Sequence, residues 1–496
     1  MKKKASITIF LSLLIAASLA LIRLLFQSVE IQNARVNMES GMEEGLYSLF
    51  ADYNRELFDR YHVFFIEGGY GTGKMQPGKM YKTVEDGLTG GDHSYNFQDI
   101  HLGKRQNMSV ENGEITGYTL ASDHAGDAFY MQAVKYMEET AGIQGVQALI
   151  NRNEKRKRQI EDIESQDNID IAEEAEKQYL EAKKAQENST VEENTVSDQE
   201  KQGESGMMEV EIPDNFKNPL DTIKEIKKRG ILGLVLSGET EVSAKVVEKS
   251  LLYSHRALET GMGIVEKYSE EEKFYHQALF EEYLIRHFNC YGQEKKSHAL
   301  EYEIEYLIGG KTDDQKNLKS VVHRLIAVRQ GANMAYLLKD QESREQIKTV
   351  ALIICAVTKM PSLEGIVRTV LTAAWAYAES ICDVRELLEG GAVPLLKEKN
   401  EWQLSLSPQG DFIQQQHSDG GESGLTYQEY LRILLMTVRK ETQIARAMDL
   451  VELVMRTAGS QSNFRMDLCV WQVQITMEVN TAGRKFSMQR GYRYDR

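Results

Sequence analysis

Cysteine is scarce in this sequence, and the few cysteines are far apart. The 496 residues include only 4 of them. They are Cys290, Cys355, Cys382 and Cys469, and none belongs to a CxxC pair or a short cysteine–histidine cluster. This spacing argues against a zinc site, and so few cysteines in so long a chain argue against a disulfide framework. We expect four buried thiols.

The common catalytic signatures are also missing. The chain has no HExxH, no GxSxG and no aspartate-rich calcium loop. Ser122, Asp123 and His124 are adjacent, with Asp127 nearby, but neighbours in sequence rarely converge as a triad. The glutamates of LEYEIEYLIGG, which follows His298-Ala299, alternate around a predicted helix and cannot all face one metal. We therefore predict no catalytic, cofactor-binding or metal-binding residue, no cofactor, and a protein that is not an enzyme.

Basic residues are fewer than acidic residues, 59 against 75. The formal net charge is -16 at pH 7, and no basic stripe with interleaved aromatic residues is present. A net negative field repels nucleic acid. We predict no nucleic-acid partner.

A glycine-rich stretch, VFFIEGGYGTGKM, matches part of a nucleotide-binding P-loop. It spells G-x-x-x-x-G-K from Gly68 to Lys74. A P-loop needs Ser or Thr after the lysine and a helix that starts at the loop. Here Met75 follows, and Gln76-Pro77-Gly78 predicts another turn. We predict chain reversal after a strand and no nucleotide.

A long apolar run stands at the start of the chain. Three lysines, Lys2 to Lys4, precede Ile7–Ile22, and Leu24–Phe26 continue the run. A bilayer core needs about 20 helical residues. We predict a membrane anchor, with the N-terminus in the cytoplasm because basic residues stay on that side, and the rest of the chain outside. The anchor residues are Ile7, Phe10, Leu14, Ile22 and Phe26.

The competing interpretation of this run is a cleaved secretory signal. Ser18-Leu19-Ala20 offers small residues at the positions that a signal peptidase reads. The apolar run continues past that point, which favours a retained anchor. Both interpretations place most of the chain outside the cytosol.

Beyond the anchor, apolar residues recur every three or four positions without a proline. This period predicts one amphipathic helix that extends the anchor to about Phe58. Its apolar stripe packs on the protein's own next domain or on a partner helix, and the two alternatives are compatible. The stripe comprises Ile31, Met38, Met42, Leu46, Leu49, Tyr53 and Leu57.

The remaining pattern predicts an α+β fold that is mainly helical, with a small antiparallel sheet. Strands are expected at Val63–Glu67, Glu114–Leu120 and Trp402–Leu406, and in a hairpin from Trp471 to Tyr494. Helices are expected at Ala125–Glu139, Lys249–Tyr268, Glu270–Asn289, Ala299–Ile308, Asp314–Lys339, Glu345–Thr358, Ile366–Leu388 and Tyr427–Ala458. The predicted divisions are 1–26 leader and anchor, 27–58 amphipathic helix, 59–150 small α/β lobe, 151–216 charged linker or solvated helix, and 217–496 helical domain with the hairpin.

Several stretches together resemble an uncharacterised membrane-anchored family of Gram-positive bacteria that is similar to components of Flp/Tad-type pilus systems. They include KKKASITIFLSLLIAASLAL, FADYNRELFDRYHVFFIE, NPLDTIKEIKKRGILGLVL, LEYEIEYLIGGK and NFRMDLCVW. The resemblance implies a single-pass cell-membrane protein with an extracytoplasmic body. It also implies protein partners in a pilus or secretion apparatus.

The N-terminal part also resembles TadE/TadG-like minor pseudopilins. In that pattern a small residue precedes the cleavage point and a glutamate follows it by five residues. Ala5 matches the small residue and Ser6 would be the new N-terminus, but Phe10 stands where the glutamate belongs. We predict a structural assembly component beside the fibre. A cell-surface enzyme that acts on wall polymers through paired carboxylates is the alternative, because a fold can bring two acids together without a sequence motif.

Overall fold

The chain forms two compact units. This computed structural model describes residues 2–90, 109–164, 168–192, 211–236, 241–264, 273, 275–293, 299–414, 424–457, 459, 461–481 and 484–494. Unit 1 comprises Met1–Glu139, Ser250–Lys273 and Met448–Arg496, and unit 2 comprises Thr140–Lys249 and Phe274–Ala447. The C-terminal hairpin therefore belongs with the N-terminal lobe, whereas the sequence placed it in the helical domain.

Helices dominate the structure, and the predicted class, mainly helical α+β with a small antiparallel sheet, is confirmed. The helices are α1 Lys2–Ala51, α2 Arg55–Tyr61, α3 Pro77–Gly90, α4 Asp127–Glu164, α5 Asn168–Glu192, α6 Pro219–Lys228, α7 Ile231–Val235, α8 His276–His287, α9 Glu303–Gly309, α10 Asp314–Lys339, α11 Gln341–Thr358, α12 Glu364–Leu388, α13 Tyr427–Met436 and α14 Lys440–Thr457. The strands are β1 Ile66–Glu67, β2 Ser109–Leu120, β3 Ala392–Val393, β4 Leu404–Leu406, β5 Phe412–Gln414, β6 Leu425–Thr426, β7 Cys469–Thr481 and β8 Arg484–Arg493.

The sheet of unit 1 is built around β7. Strands β1, β2 and β8 all pair with β7 in antiparallel register, so its strands come from distant parts of the chain, as predicted. Apolar residues on one face of β7 are buried, and the intervening side chains are polar. This alternation fits a sheet with one face on the core and one toward solvent. The buried residues are Val473, Ile475, Met477 and Val479.

Helices α1 and α3 cover the apolar face of this sheet. Met42 and Leu46 of α1 and Met80 and Val84 of α3 belong to the same buried cluster as the β7 residues. The two helices approach closely at glycines. A Cβ added to Gly45 would lie 2.5 Å from the Val84 carbonyl oxygen. Glycine therefore lowers the intrinsic stability of α1 but permits the helix crossing.

The predicted single helix to Phe58 is wrong at its end. Helix α1 stops at Ala51, and Asn54 caps α2, its Oδ1 accepting a hydrogen bond from Leu57 N at 3.1 Å. An asparagine cap holds its own backbone out of helical geometry. Tyr53 and Leu57 consequently lie outside α1.

Unit 2 has its own core, centred on α10, α11 and α12. Trp375 and Leu371 of α12 pack there with Trp402, just before β4. Helix α5 contributes Ala172 and Tyr179 to this core. Part of the charged segment 151–216 therefore has a buried face, which its high charge content concealed. The predicted strand at Trp402–Leu406 is present as β4, paired with β5.

The predicted helix Lys249–Tyr268 is absent from its described part, residues 249–264. Two short 3-10 turns replace it, and Met262 then pairs with Tyr118 of β2. Ser254 N and Oγ donate to the Asp449 carboxylate at 2.8 and 2.7 Å, and Gly263 has φ +72°. Contacts to residues distant in sequence thus override the local helical period. The predicted Tyr427–Ala458 helix is divided into α13 and α14.

Candidate functional site

The first half of α1 exposes its apolar side chains. The five predicted anchor residues keep between 47% and 67% of their surface exposed. Among the helices of the described residues, α1 alone is long and apolar enough to cross a membrane. Ala5 and Ser6, the predicted processing residues, lie in its first turns. The structure thus has one candidate membrane span, at the N-terminus.

One face of the second half of α1 is buried in unit 1. Four residues of the stripe each expose 2% or less of their surface to solvent: Met38, Met42, Leu46 and Leu49. Ile31 is half-buried. The stripe that was predicted as a possible partner-helix face is therefore covered by α3 and the sheet, in agreement with the own-domain alternative. Of its other two members, Leu57 is buried on α2 and Tyr53 lines a cleft described below.

The last strand also holds α1. Arg490 of β8 forms an ion pair with Glu39 of α1. Tyr492 packs edge-on against Phe50, with ring centroids 4.7 Å apart. Tyr494 Oη donates to the Phe50 carbonyl oxygen at 2.6 Å, and burial raises the pKa of this phenol. Residues near the C-terminus therefore hold this N-terminal helix on the lobe.

The glycine-rich loop connects β1 to α3. Helix α3 begins at Pro77, where the sequence predicted a turn, because proline is suited to the first turn of a helix. The loop reverses the chain as predicted, with Gly71 and Gly73 at φ +75° and +70°. Gly71 N donates to Glu67 Oε2 at 2.7 Å. This amide is satisfied by a carboxylate of the protein itself, whose negative charge opposes a phosphate at the same place.

A cleft of about 450 Å³ lies beside this loop in unit 1. Two hydrogen bonds connect its walls: Asn54 Nδ2 donates to Gln461 Oε1 at 2.8 Å, and Asn463 Nδ2 donates to the Gly71 carbonyl at 3.0 Å. The glycine-rich stretch supplies one wall of this cleft, but no sequence motif connects it to the two distant segments that supply the other walls. It is lined by Asp52, Tyr53, Asn54, Arg55, Glu56, Ile66, Glu67, Tyr70, Gly71, Gln461, Ser462, Asn463 and Phe464.

The cleft is rich in carboxylates and phenols. Burial raises the pKa of Glu67, while the Gly71 amide opposes that rise. Burial, together with the charges of Asp52 and Glu67, raises the pKa of Tyr70 to about 12. Lys79 Nζ lies 5.3 Å from the centroid of the Tyr70 ring. The cleft therefore has a negative, partly desolvated wall.

Unit 2 contains a buried network of charges. Arg329 Nε lies 2.9 Å from Asp383 Oδ2, and Lys397 pairs with both Asp383 and Glu379. All four side chains are buried. Against the effect of burial, Arg329 and Lys397 hold the pKa of Asp383 below its ordinary value. Each charge is compensated by the others, as a buried ion network requires.

Two buried glutamates of the segment LEYEIEYLIGGK accept hydrogen bonds from backbone amides. Glu303 Oε2 accepts from Asn289 N at 2.9 Å. Glu305 Oε1 accepts from Tyr291 N at 2.9 Å and from Tyr427 Oη at 2.7 Å. The first glutamate, Glu301, faces solvent and lies 3.2 Å from a lysine Nζ. These side chains point to different partners, and no group of three or more metal-binding side chains occurs in the described residues.

The Ser122–Asp127 cluster forms a turn. Asp123 Oδ2 accepts from Leu120 N at 2.7 Å, and its Oδ1 accepts from Gly261 N at 3.0 Å. Ser122 Oγ donates to the Glu259 carbonyl at 3.0 Å. The hydroxyl and the carboxylate thus bind backbone atoms, as loop residues do. Three of the four cysteines are buried as expected, and Cys382 is half-buried.

One comparison with known proteins gives a match. Residues 209–481, more than half of the chain, match the model of a family described as a family of unknown function, DUF5702. No curated protein and no solved structure matches the chain.

Proposed function

The chain belongs to the DUF5702 family of unknown function, and we propose that it is a membrane-anchored, extracytoplasmic assembly component of a Flp/Tad-type pilus or secretion system. The main observation behind this proposal is that α1 is one uninterrupted helix whose two halves differ in exposure. Its first half exposes apolar side chains, and one face of its second half is buried in the lobe.

This arrangement supports a mechanical role. A 50-residue helix is about 75 Å long, of which a bilayer core takes about 30 Å. Because one face of the helix from Met38 onward is packed on α3 and the sheet, force on the lobe is transmitted through α1 to the anchor. The three lysines before the span favour a cytoplasmic N-terminus. The pilus context rests on the sequence resemblance.

The test of membrane placement is fractionation of cells and proteolysis of protoplasts. We expect the intact chain in the membrane fraction and digestion of both units by protease added outside. Mass spectrometry of the mature N-terminus distinguishes a retained leader from a start at Ser6 or Leu21. A soluble cytosolic chain, or a body protected from external protease, would contradict the proposal.

The assembly role has its own test. A photo-crosslinker at Val36, which is exposed on α1, is expected to capture pilus or secretion proteins. These products are expected to disappear when the partner genes are deleted. A crosslinker at Glu114, exposed on β2, is the control for random capture. Products that persist unchanged after the deletion would count against the role.

The alternative function, an enzyme that acts on wall polymers, has one candidate location. The unit 1 cleft contains Glu67, whose pKa burial raises, together with Asp52 and Glu56. Glycoside hydrolysis uses a carboxyl group of raised pKa together with a second carboxyl group. Release of soluble sugars from purified wall by the full chain, abolished in Glu67→Gln, would support this function. If the full chain releases no soluble sugar, the enzymatic alternative is refuted.

A further inference from the structure

The unit 1 cleft has the size and rigidity of a ligand site. Its volume of about 450 Å³ falls in the range of about 300–1,000 Å³ typical of small-molecule sites. The hydrogen bonds from Asn54 to Gln461 and from Asn463 to Gly71 join its walls before any ligand arrives. A preformed site loses less conformational entropy when it binds.

The charges of the cleft favour a cation. Its lining contains three carboxylates, on Asp52, Glu56 and Glu67, against one guanidinium, on Arg55. Glu56 forms an ion pair with Arg60, whose Nη2 lies 3.2 Å from Glu56 Oε1, so Asp52 and Glu67 are the carboxylates that remain to attract a cation. The Oε1 atom of Glu67 is buried, and the Gly69 and Gly71 amides and Lys79 favour the charged form of this carboxylate against the effect of burial. Water screens this charge poorly, so a cation in the cleft is attracted to it.

The aromatic residues of the cleft also suit a cation. Tyr53 packs edge-on against Phe58 and Phe64, with centroids 5.5 and 5.2 Å apart, which fixes its ring. The ring of Tyr70 already has the ammonium of Lys79 5.3 Å from its centroid. Aromatic faces attract ammonium and guanidinium groups through the ring quadrupole.

We propose that this cleft binds an organic cation, the ammonium or guanidinium group of a lysine or arginine side chain or of a free polyamine. Asp52 contacts the cation from the exposed rim, Tyr53 supplies a fixed ring, and Glu67 adds negative charge from the floor. This site is separate from the membrane anchor and does not depend on the assembly role.

The test is isothermal titration of the full chain in detergent with three probes. They are Nα-acetyl-arginine amide, spermidine, and Nα-acetyl-glutamine amide as the neutral control. We expect the cations to bind and the neutral amide not to bind. Binding of arginine amide alone identifies a protein side chain as the ligand, and binding of spermidine alone identifies a polyamine. Failure of both cations to bind overturns the proposal.

Variants locate the binding. Asp52→Asn changes an exposed residue and Glu67→Gln keeps an oxygen acceptor for Gly71, so we expect both to fold. Each is expected to weaken binding at least ten-fold, whereas Glu114→Gln, at an exposed position of β2, is expected to bind like the wild type. Unchanged affinity in Asp52→Asn would overturn the proposal even if Glu67→Gln destabilised the lobe.

Discussion

Glu305 is expected to make the stability of unit 2 depend on pH. Its carboxylate is fully buried, and burial raises its pKa from 4.5 to about 7, while the Tyr291 amide and the Tyr427 hydroxyl oppose the rise. Because the pKa is higher in the folded state, that state holds the proton more tightly than the unfolded chain. The stabilisation is complete below about pH 4.5 and is lost as the pH rises through about 7.

The size of this effect follows from the two pKa values. The interval from 4.5 to about 7 corresponds to on the order of 3 kcal/mol. A typical domain is stable by only about 5–15 kcal/mol. The ionisation of one side chain is therefore expected to remove a large part of the stability of this unit.

The perturbation is Glu305→Gln in the full chain in detergent. Glutamine keeps an oxygen for Tyr291 N and Tyr427 Oη but carries no charge. Urea unfolding is followed by tryptophan fluorescence in a Trp471→Phe background, so that the signal comes from Trp375 and Trp402 in the core of unit 2. We expect the variant to match the wild type at about pH 4 and to be more stable by about 3 kcal/mol at about pH 8.

The matched control is Glu301→Gln, in the same segment but exposed to solvent. We expect no pH-dependent difference between this variant and the wild type. If Glu305→Gln lost the same stability at both pH values, the carboxylate would act through its geometry and the ionisation argument would be refuted. If it gained nothing at pH 8, Glu305 would not be the group that titrates.

Two further substitutions test the packing of each unit. Gly45→Ala is expected to destabilise unit 1 by about 1–3 kcal/mol, because its Cβ would meet the Val84 carbonyl oxygen. The control is Gly78→Ala, which has open space around it and is expected to be tolerated. Thermal unfolding of both variants measures this. Lys397→Met leaves two buried carboxylates without their shared lysine and is expected to cost about 3–5 kcal/mol by urea unfolding. Lys399→Met, at an exposed ion pair, is expected to change little, and equal losses for the two lysines would contradict the burial argument.

Long elements with local signals could be predicted from the sequence. Helix α10 runs from Asp314 to Lys339 as expected, because Asp313 supplies the cap, accepting from Lys316 N, and its apolar residues keep helical spacing. The β7–β8 hairpin was predicted because apolar and polar residues alternate from Trp471 to Val479 and a turn-forming sequence, Asn480–Gly483, follows. In each case neighbours in sequence determine the conformation.

Contacts between distant segments could not be predicted. The cleft brings together residues near Asp52, Glu67 and Gln461, and no sequence period connects these positions. The same limit explains the error at Lys249–Tyr268, where the carboxylates of Asp449 and Asp123 bind backbone atoms. A helical pattern gives a local preference, and these tertiary hydrogen bonds override it.

The family region cannot complete its own sheet. It ends at residue 481, so it contains β7, whereas β1, β2 and β8, which pair with β7, all lie outside it. Without them and α1, the apolar face of β7 from Val473 to Val479 is uncovered, and both of its edges lack partners. Unpaired apolar strands aggregate. We therefore expect residues 209–481 expressed alone to be insoluble, and addition of residues 27–139 and 482–496 to restore solubility. A soluble, cooperatively unfolding 209–481 fragment would show that this sheet is not required for the family region to fold.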